Sequence, residues 1–217
     1  MLKVVVFDSG FGGELFADYL ETELPILEVI RVIDWRNASE ALSSSKLARA
    51  SAEKALQPYL NKVDLIVFAN HLLSRTSLKY FRHKYKKQVF VGFNLNNNFN
   101  RKTTLILTTK AVAKTLKYLQ FSHYGQLKIA VFEDWPALID DGELTNHKVK
   151  QDLKAFLLKN DNFTPEQIIL GCSQFVDLKN EISKFFGHNI KILDGFEPAL
   201  REVCQSLKLR GALKKIK

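Results

Sequence analysis

Only two cysteines, Cys172 and Cys204, occur in the 217 residues, too few for a disulfide framework, and a reducing compartment fits. No stretch stays apolar for the ~20 residues that a membrane helix needs. The one early apolar run is broken by Asp8 and the glycines after it, so no signal peptide is read there. A soluble cytoplasmic protein without membrane contact is the expectation. Acidic residues are in deficit, 23 against 32 Lys and Arg, which leaves a net charge of +9. The excess gathers in Lys79–Lys87, with Arg82, Lys84 and Lys86 between, and in a tail with Lys208, Arg210, Lys214, Lys215 and Lys217. A basic surface can steer anions. No helix-turn-helix, zinc or RNA-binding motif accompanies it, so nucleic acid is not an expected partner. A solvated helix face and a frayed tail account for the charge. No cysteine–histidine cluster has ligand spacing, and no lysine stands in a recognisable Schiff-base context. No metal, nicotinamide or pyridoxal cofactor is therefore expected.

What is present is apolar content, 46% of residues, enough for one sizeable core or two small ones. Short apolar runs alternate with longer amphipathic ones. Strands are predicted at Lys3–Phe7, Val29–Asp34, Asp64–Phe68, Gln88–Gly92, Thr104–Thr108, Lys128–Phe132, Gln167–Gly171 and Ile190–Asp194. Most lack polar alternation, as strands buried on both faces of a parallel sheet do. Helices are predicted at Gly13–Glu23, Ser39–Tyr59, Thr76–Tyr85, Ala111–Phe121, Glu143–Lys159, Asp177–Phe186 and Pro198–Leu213. Such alternation predicts an α/β fold with right-handed crossovers. The run Asn94–Asn100 is too polar and turn-prone for an element interior. It leaves four strands on each side, which suggests two similar halves.

Several strand ends carry residues able to do chemistry. Asp8-Ser9-Gly10-Phe11-Gly12-Gly13 follows the first strand and opens a helix, where ligands of open α/β sheets bind. Its glycines, at 10, 12 and 13, do not have dinucleotide spacing. A tight turn with Asp8 or Ser9 capping the helix is the plainer reading. Ala69-Asn70-His71-Leu72-Leu73-Ser74 follows the third strand. His71 has an unperturbed pKa of ~6.5; it is either a proton-transfer group or a helix-start residue touching solvent. Thr108-Thr109 follows the fifth strand, for helix capping or ligand contact. Cys172-Ser173-Gln174 follows the seventh. A thiol there, beside glycine and hydroxyl, is placed to act as acid or base. Cys204 reads as a core residue of the last helix. Asp140-Asp141-Gly142 reads as a turn.

These strings resemble the aspartate/glutamate racemase family, glutamate racemase in particular. Val6-Phe7-Asp8-Ser9-Gly10-Phe11-Gly12-Gly13 is similar to the family's opening signature. Gly171-Cys172-Ser173-Gln174-Phe175 resembles its second catalytic cysteine motif, with Gln174 where the family has a histidine. Ala69 stands where the family has its first cysteine, His71 where it has a threonine, and Trp35-Arg36-Asn37-Ala38-Ser39 replaces its proline-tyrosine-glycine loop. The resemblance implies two flavodoxin-like lobes with parallel sheets and an active-site cleft between them. Residues 1–94, joined by the last helix at 196–217, would form one lobe and 95–195 the other. It further implies cofactor-independent racemisation of glutamate or aspartate by thiol proton transfer, of the kind that supplies D-glutamate for peptidoglycan. Two thiols serve opposite faces of the α-carbon in that chemistry. Cys172 and His71 would be catalytic here. Asp8, Ser9, Asn70, Ser74, Thr109, Ser173 and Gln174 would line the substrate, and Asp140 would support Cys172. With Ala69 in place of a thiol, three outcomes stay open. Either His71 or a water held by Asp8 supplies the first base and activity is weak, or the protein is a one-cysteine lyase such as a decarboxylase, or it binds an amino acid without turnover. A homodimer is a further open expectation.

Overall fold

The computed structural model describes residues 1–37, 44–94, 102–116, 126–209 and 211. Residues 39–43 and 117–121 of two predicted helices lie outside them, as do 95–100 of the asparagine run and most of the basic tail. The chain divides into two compact units, Met1–Asn94 with Gly195–Lys217, and Leu95–Asp194.

In the first unit the order is β1 (Leu2–Asp8), α1 (Phe11–Glu23), β2 (Leu27–Ile33), α2 (Ser45–Leu56), β3 (Leu65–Phe68), α3 (His71–Lys84) and β4 (Phe90–Gly92), with α8 (Phe196–Ser206) added from the C-terminal segment. The sheet is parallel in the order β2-β1-β3-β4. Alternate residues of a strand face opposite sides. Val5, Phe7, Ile66 and Phe68 form one core with Ala48, Ala52 and Leu56 of α2 and Leu73 and Phe81 of α3. Phe68 meets Phe7 and Phe81 edge-on there. A second aromatic group joins α1 to α8 and the end of β4: Phe196 lies 5.1 Å from Phe16 and 5.5 Å from Phe93.

The second unit repeats the plan: β5 (Thr104–Thr108), α4 (Lys110–Leu116), β6 (Leu127–Val131), α5 (Trp135–Asp140), α6 (Asn146–Leu158), β7 (Gln167–Leu170), α7 (Lys179–Phe186) and β8 (Lys191–Leu193). Its parallel sheet runs β6-β5-β7-β8. Leu105, Leu107, Ile168 and Leu170 pack with Val149 and Leu153 of α6 and with Trp135. Trp135 stacks on Phe132, centroids 4.0 Å apart, and donates through Nε1 to Asp152 at 2.9 Å.

The α/β class and all eight strands stand as the sequence predicts, to within two residues at each end. Helix α8 ends at Ser206, where the prediction runs to Leu213, and α6 starts at Asn146 rather than Glu143. Three further differences lie near the strand ends. Helix α3 starts at His71 rather than Thr76, because Asn70 caps it. Helix α5 replaces what reads as loop and turn: Pro136 in its first turn is favourable, since the missing N–H would be unpaired there anyway. The turn is confined to Asp141-Gly142, with Gly142 at φ 70°. Ahead of α7 the chain makes a 3-10 turn over Ser173–Leu178. Much of the Lys79–Lys87 charge is spent locally. Lys84 pairs with Glu53, and Arg82 binds Glu202 and the Phe90 carbonyl.

Candidate active site

In each sheet the chain runs outward to an edge strand and then crosses to the other side. The reversal falls between β1 and β3, and between β5 and β7. Loops at such a switch point diverge beyond the carboxyl ends of the strands and leave room for a ligand. The chemistry-bearing residues of the sequence fall at these two places.

At the first switch point Asp8, 2% exposed, ends β1. Its Oδ1 accepts from the Ser9 backbone N–H at 2.7 Å and from Asn70 Nδ2 at 2.9 Å. Asp8 is therefore not the cap of α1. The N-cap is Gly10, with no side-chain hydrogen bond, which corrects the capping alternative. Gly13 lets α1 approach this strand end: a Cβ there would sit 2.6 Å from Asp8 Cβ and from Ile33 Cδ1. Asn70 is fixed at both ends of its amide. Oδ1 accepts from Leu73 N–H at 2.9 Å, capping α3, while Nδ2 serves Asp8 and reaches Ser9 Oγ at 3.4 Å. Ser74 spends its hydroxyl on structure, donating to Phe68 O and accepting from Phe93 N–H, both at 3.0 Å. Asn70→Ala should therefore cost about 1–3 kcal/mol of stability, from the lost cap and from Asp8 losing a buried donor. Urea unfolding would show this, and an unchanged midpoint would mean that the Asn70–Asp8 bond contributes nothing.

His71 departs from expectation. It is 3% exposed, not at the solvent edge, with its ring against Phe93 at 5.1 Å. Its Nδ1 has no hydrogen-bond partner among the described residues. Burial, and secondarily the charge of Arg75, lowers its pKa from 6.5 to about 3. The expected titration near neutrality is not what this environment gives: the ring is neutral at pH 7 and a weak base. Nothing in the local pattern signals this, because Phe93 reaches the ring from 22 residues along the chain.

At the second switch point Gly171 lets β7 lie close against β5. A Cβ there would be 2.8 Å from Thr108 Oγ1, which instead donates to Gly171 O at 3.0 Å. Cys172 follows, buried at 6% exposure. Its Sγ donates to Gln174 Oε1 at 3.4 Å. Gln174 Nε2 donates to Asp140 Oδ1 at 2.6 Å and to Pro136 O at 3.2 Å. Asp140, at the end of α5, thus reaches the thiol through Gln174. The Pro136 carbonyl was not foreseeable, since a backbone acceptor carries no side-chain signal; the Trp-Pro pair at a helix start was its one trace. Ser173 is buried beside the thiol, and Thr109 is 1% exposed with no hydrogen-bond partner for its Oγ1 among the described residues. A buried unpaired hydroxyl is costly unless something supplies its partner. Asp194 is buried and ion-paired with Lys179. Among the described residues no three His, Cys, Asp or Glu converge as a metal site. No helix among them is long and apolar enough to cross a membrane.

No protein-family model matches the chain. The glutamate racemase of Clostridium botulinum is 26% identical over 219 residues, 95% of this chain and 84% of that protein. Among solved structures, Escherichia coli glutamate racemase, in complex with L-glutamate and the activator UDP-MurNAc-ala, superposes with a TM-score of 0.82 at 20% identity. That match covers 95% of this chain and 82% of that one. The aspartate racemase of Picrophilus torridus superposes with a TM-score of 0.59 at 14% identity, over 95% and 94%. The fold is that of the amino-acid racemases built from two four-stranded parallel sheets. The curated relatives it matches are glutamate racemases at low identity, so the chain is similar in sequence to glutamate racemases and shares the racemase fold.

Proposed function

We propose that this protein takes a small acidic amino acid, glutamate or aspartate, without a cofactor, and exchanges a proton with its α-carbon through Cys172. The observation that carries this reading is the placement of Cys172. It stands at the switch point of a racemase-like sheet, with Gln174 and Asp140 behind it and, one strand away, a Thr109 hydroxyl that has no partner among the described residues. The ligand class is supported by the relatives' name and by the L-glutamate bound in the Escherichia coli enzyme. Racemisation needs a proton removed from one face and returned to the other. Ala69 offers a methyl group, and His71 is too weak a base to replace a thiolate readily. Activity is accordingly slow and confined to the face that Cys172 serves. A second reading, an amino-acid binder without turnover, draws on the same pair, Ala69 and a neutral His71.

Incubation of each enantiomer of glutamate and aspartate with the protein in deuterated water, followed by proton NMR, separates the two. Slow loss of the α-proton signal is expected with wild-type protein and none with Cys172→Ala, while both still bind the amino acid by calorimetry. Exchange that persists in Cys172→Ala would remove the thiol from the mechanism. Binding without exchange in either protein would leave the non-catalytic reading standing.

A further inference from the structure

The orientation of the Gln174 amide is decided by its surroundings rather than by chance. Its nitrogen lies between two groups that only accept, the Asp140 carboxylate at 2.6 Å and the Pro136 carbonyl at 3.2 Å. A half-turn of the amide would put its oxygen against both and lose both hydrogen bonds. The atom facing Cys172 Sγ, at 3.4 Å, is therefore Oε1. An amide oxygen accepts and cannot donate. The contact is satisfied only while the sulfur carries its proton. A thiolate in the same place would meet a lone pair. Both residues are at least nine-tenths buried, Gln174 at 4% and Cys172 at 6% exposure, so water has little room to intervene.

We propose that Gln174, locked by Asp140 and the Pro136 carbonyl, is a positioning residue that holds Cys172 in its S–H form, making the site a proton donor rather than a proton abstractor. The inference rests on Cys172 being the working thiol. In the step it favours, the S–H bond breaks as a C–H bond re-forms on the α-carbanion left when the minor thiolate form of Cys172 took the α-proton. The sulfur is left as thiolate and is reset by a proton from solvent. The reverse step must wait for the thiol proton to leave first. A histidine at 174 would act differently. One ring nitrogen can donate to Asp140 while the other takes the thiol proton, so thiolate and imidazolium stabilise each other.

The test needs no turnover, so its failure is distinct from failure of the racemase reading. Protein labelled with carbon-13 at cysteine Cβ is titrated from pH 6 to 10 and the Cβ shift followed, with Cys172→Ser assigning the signal. Cys204, whose own pKa burial raises, provides the second resonance. In the wild type the Cys172 signal should stay at its thiol position through ~8.5, where an ordinary cysteine ionises. In Gln174→His the midpoint should fall by at least about one pH unit, a tenfold change in ionisation constant. A wild-type midpoint at or below the ordinary value would overturn the proposal, whether or not the variant folds. So would a high midpoint that Gln174→His leaves unmoved, since burial alone would then be the cause.

Discussion

Ala69→Cys should raise the rate of α-proton exchange on glutamate or aspartate by at least about 100-fold and convert exchange into racemisation, because a positioned acid–base group contributes about 10²–10⁴ in rate. Residue 69 follows β3 directly. Its N–H is held by Phe7 O at 2.9 Å, and it adjoins Asp8 and Asn70 at the first switch point. The thiol would enter a site whose backbone is already fixed by the sheet. Ala69 is fully buried, so the added sulfur must be accommodated, at up to about 1–3 kcal/mol if the surroundings do not yield. A thermal melt of the variant checks this separately from activity. Chiral chromatography after incubation with L-glutamate reads the outcome. A well-folded Ala69→Cys that forms no D-glutamate would show that Gln174, or the Trp35–Asn37 turn where the family has its proline-tyrosine-glycine loop, disables the site as well.

Acid sensitivity should be unusually steep, and His71 should be its largest single source. The folded-state pKa of His71 is lowered to about 3, against an ordinary 6.5, because burial disfavours the charged ring and Arg75 adds to the effect. Between those values the unfolded chain binds a proton that the native state refuses. The stability contribution is fully present above pH ~6.5 and is lost as pH falls toward 3, at about 1.4 kcal/mol per pH unit. His71→Phe keeps an aromatic ring beside Phe93 and removes both the titration and the unpaired Nδ1. From pH 7 to pH 5 the wild type should lose about 2 kcal/mol more than this variant, measured by urea unfolding. Equal losses in the two proteins would mean that His71 protonates in the folded state at ordinary pH, and it would again be a candidate base.

The sequence carried the fold because parallel strands buried on both faces read as apolar runs. Val4–Phe7, Leu65–Phe68 and Ile168–Leu170 are unambiguous in that respect. Helix starts were less legible. The α3 boundary depends on Asn70 acting as a cap, which the identity of a single asparagine does not decide. The short helix α5 was hidden by the turn chemistry of Asp140-Asp141-Gly142, although its first turn bears the proline that suits it. At the site, the resemblance to the racemase family linked Asp140 to Cys172, and the structure joins both to Gln174 by hydrogen bonds. What the resemblance could not carry was direction: which way the Gln174 amide points depends on the carbonyl of Pro136, 38 residues away. Burial of His71 was equally unreadable, because a histidine beside asparagine at a helix start looks solvated until Phe93 is placed over it.

The stereochemical course of exchange tests the account most directly. Wild-type protein in deuterated water, with L-glutamate and then D-glutamate, is sampled for deuterium at the α-carbon and for the opposite enantiomer. In the proposed mechanism Cys172 is the single acid–base thiol and serves one face of the α-carbon, while the Ala69 methyl group has no proton to exchange. Deuterium should therefore enter slowly, with retention, and more readily at high pH, while the opposite enantiomer stays at background. Formation of the opposite enantiomer as fast as deuterium enters would contradict the account and show that a second base works where Ala69 stands.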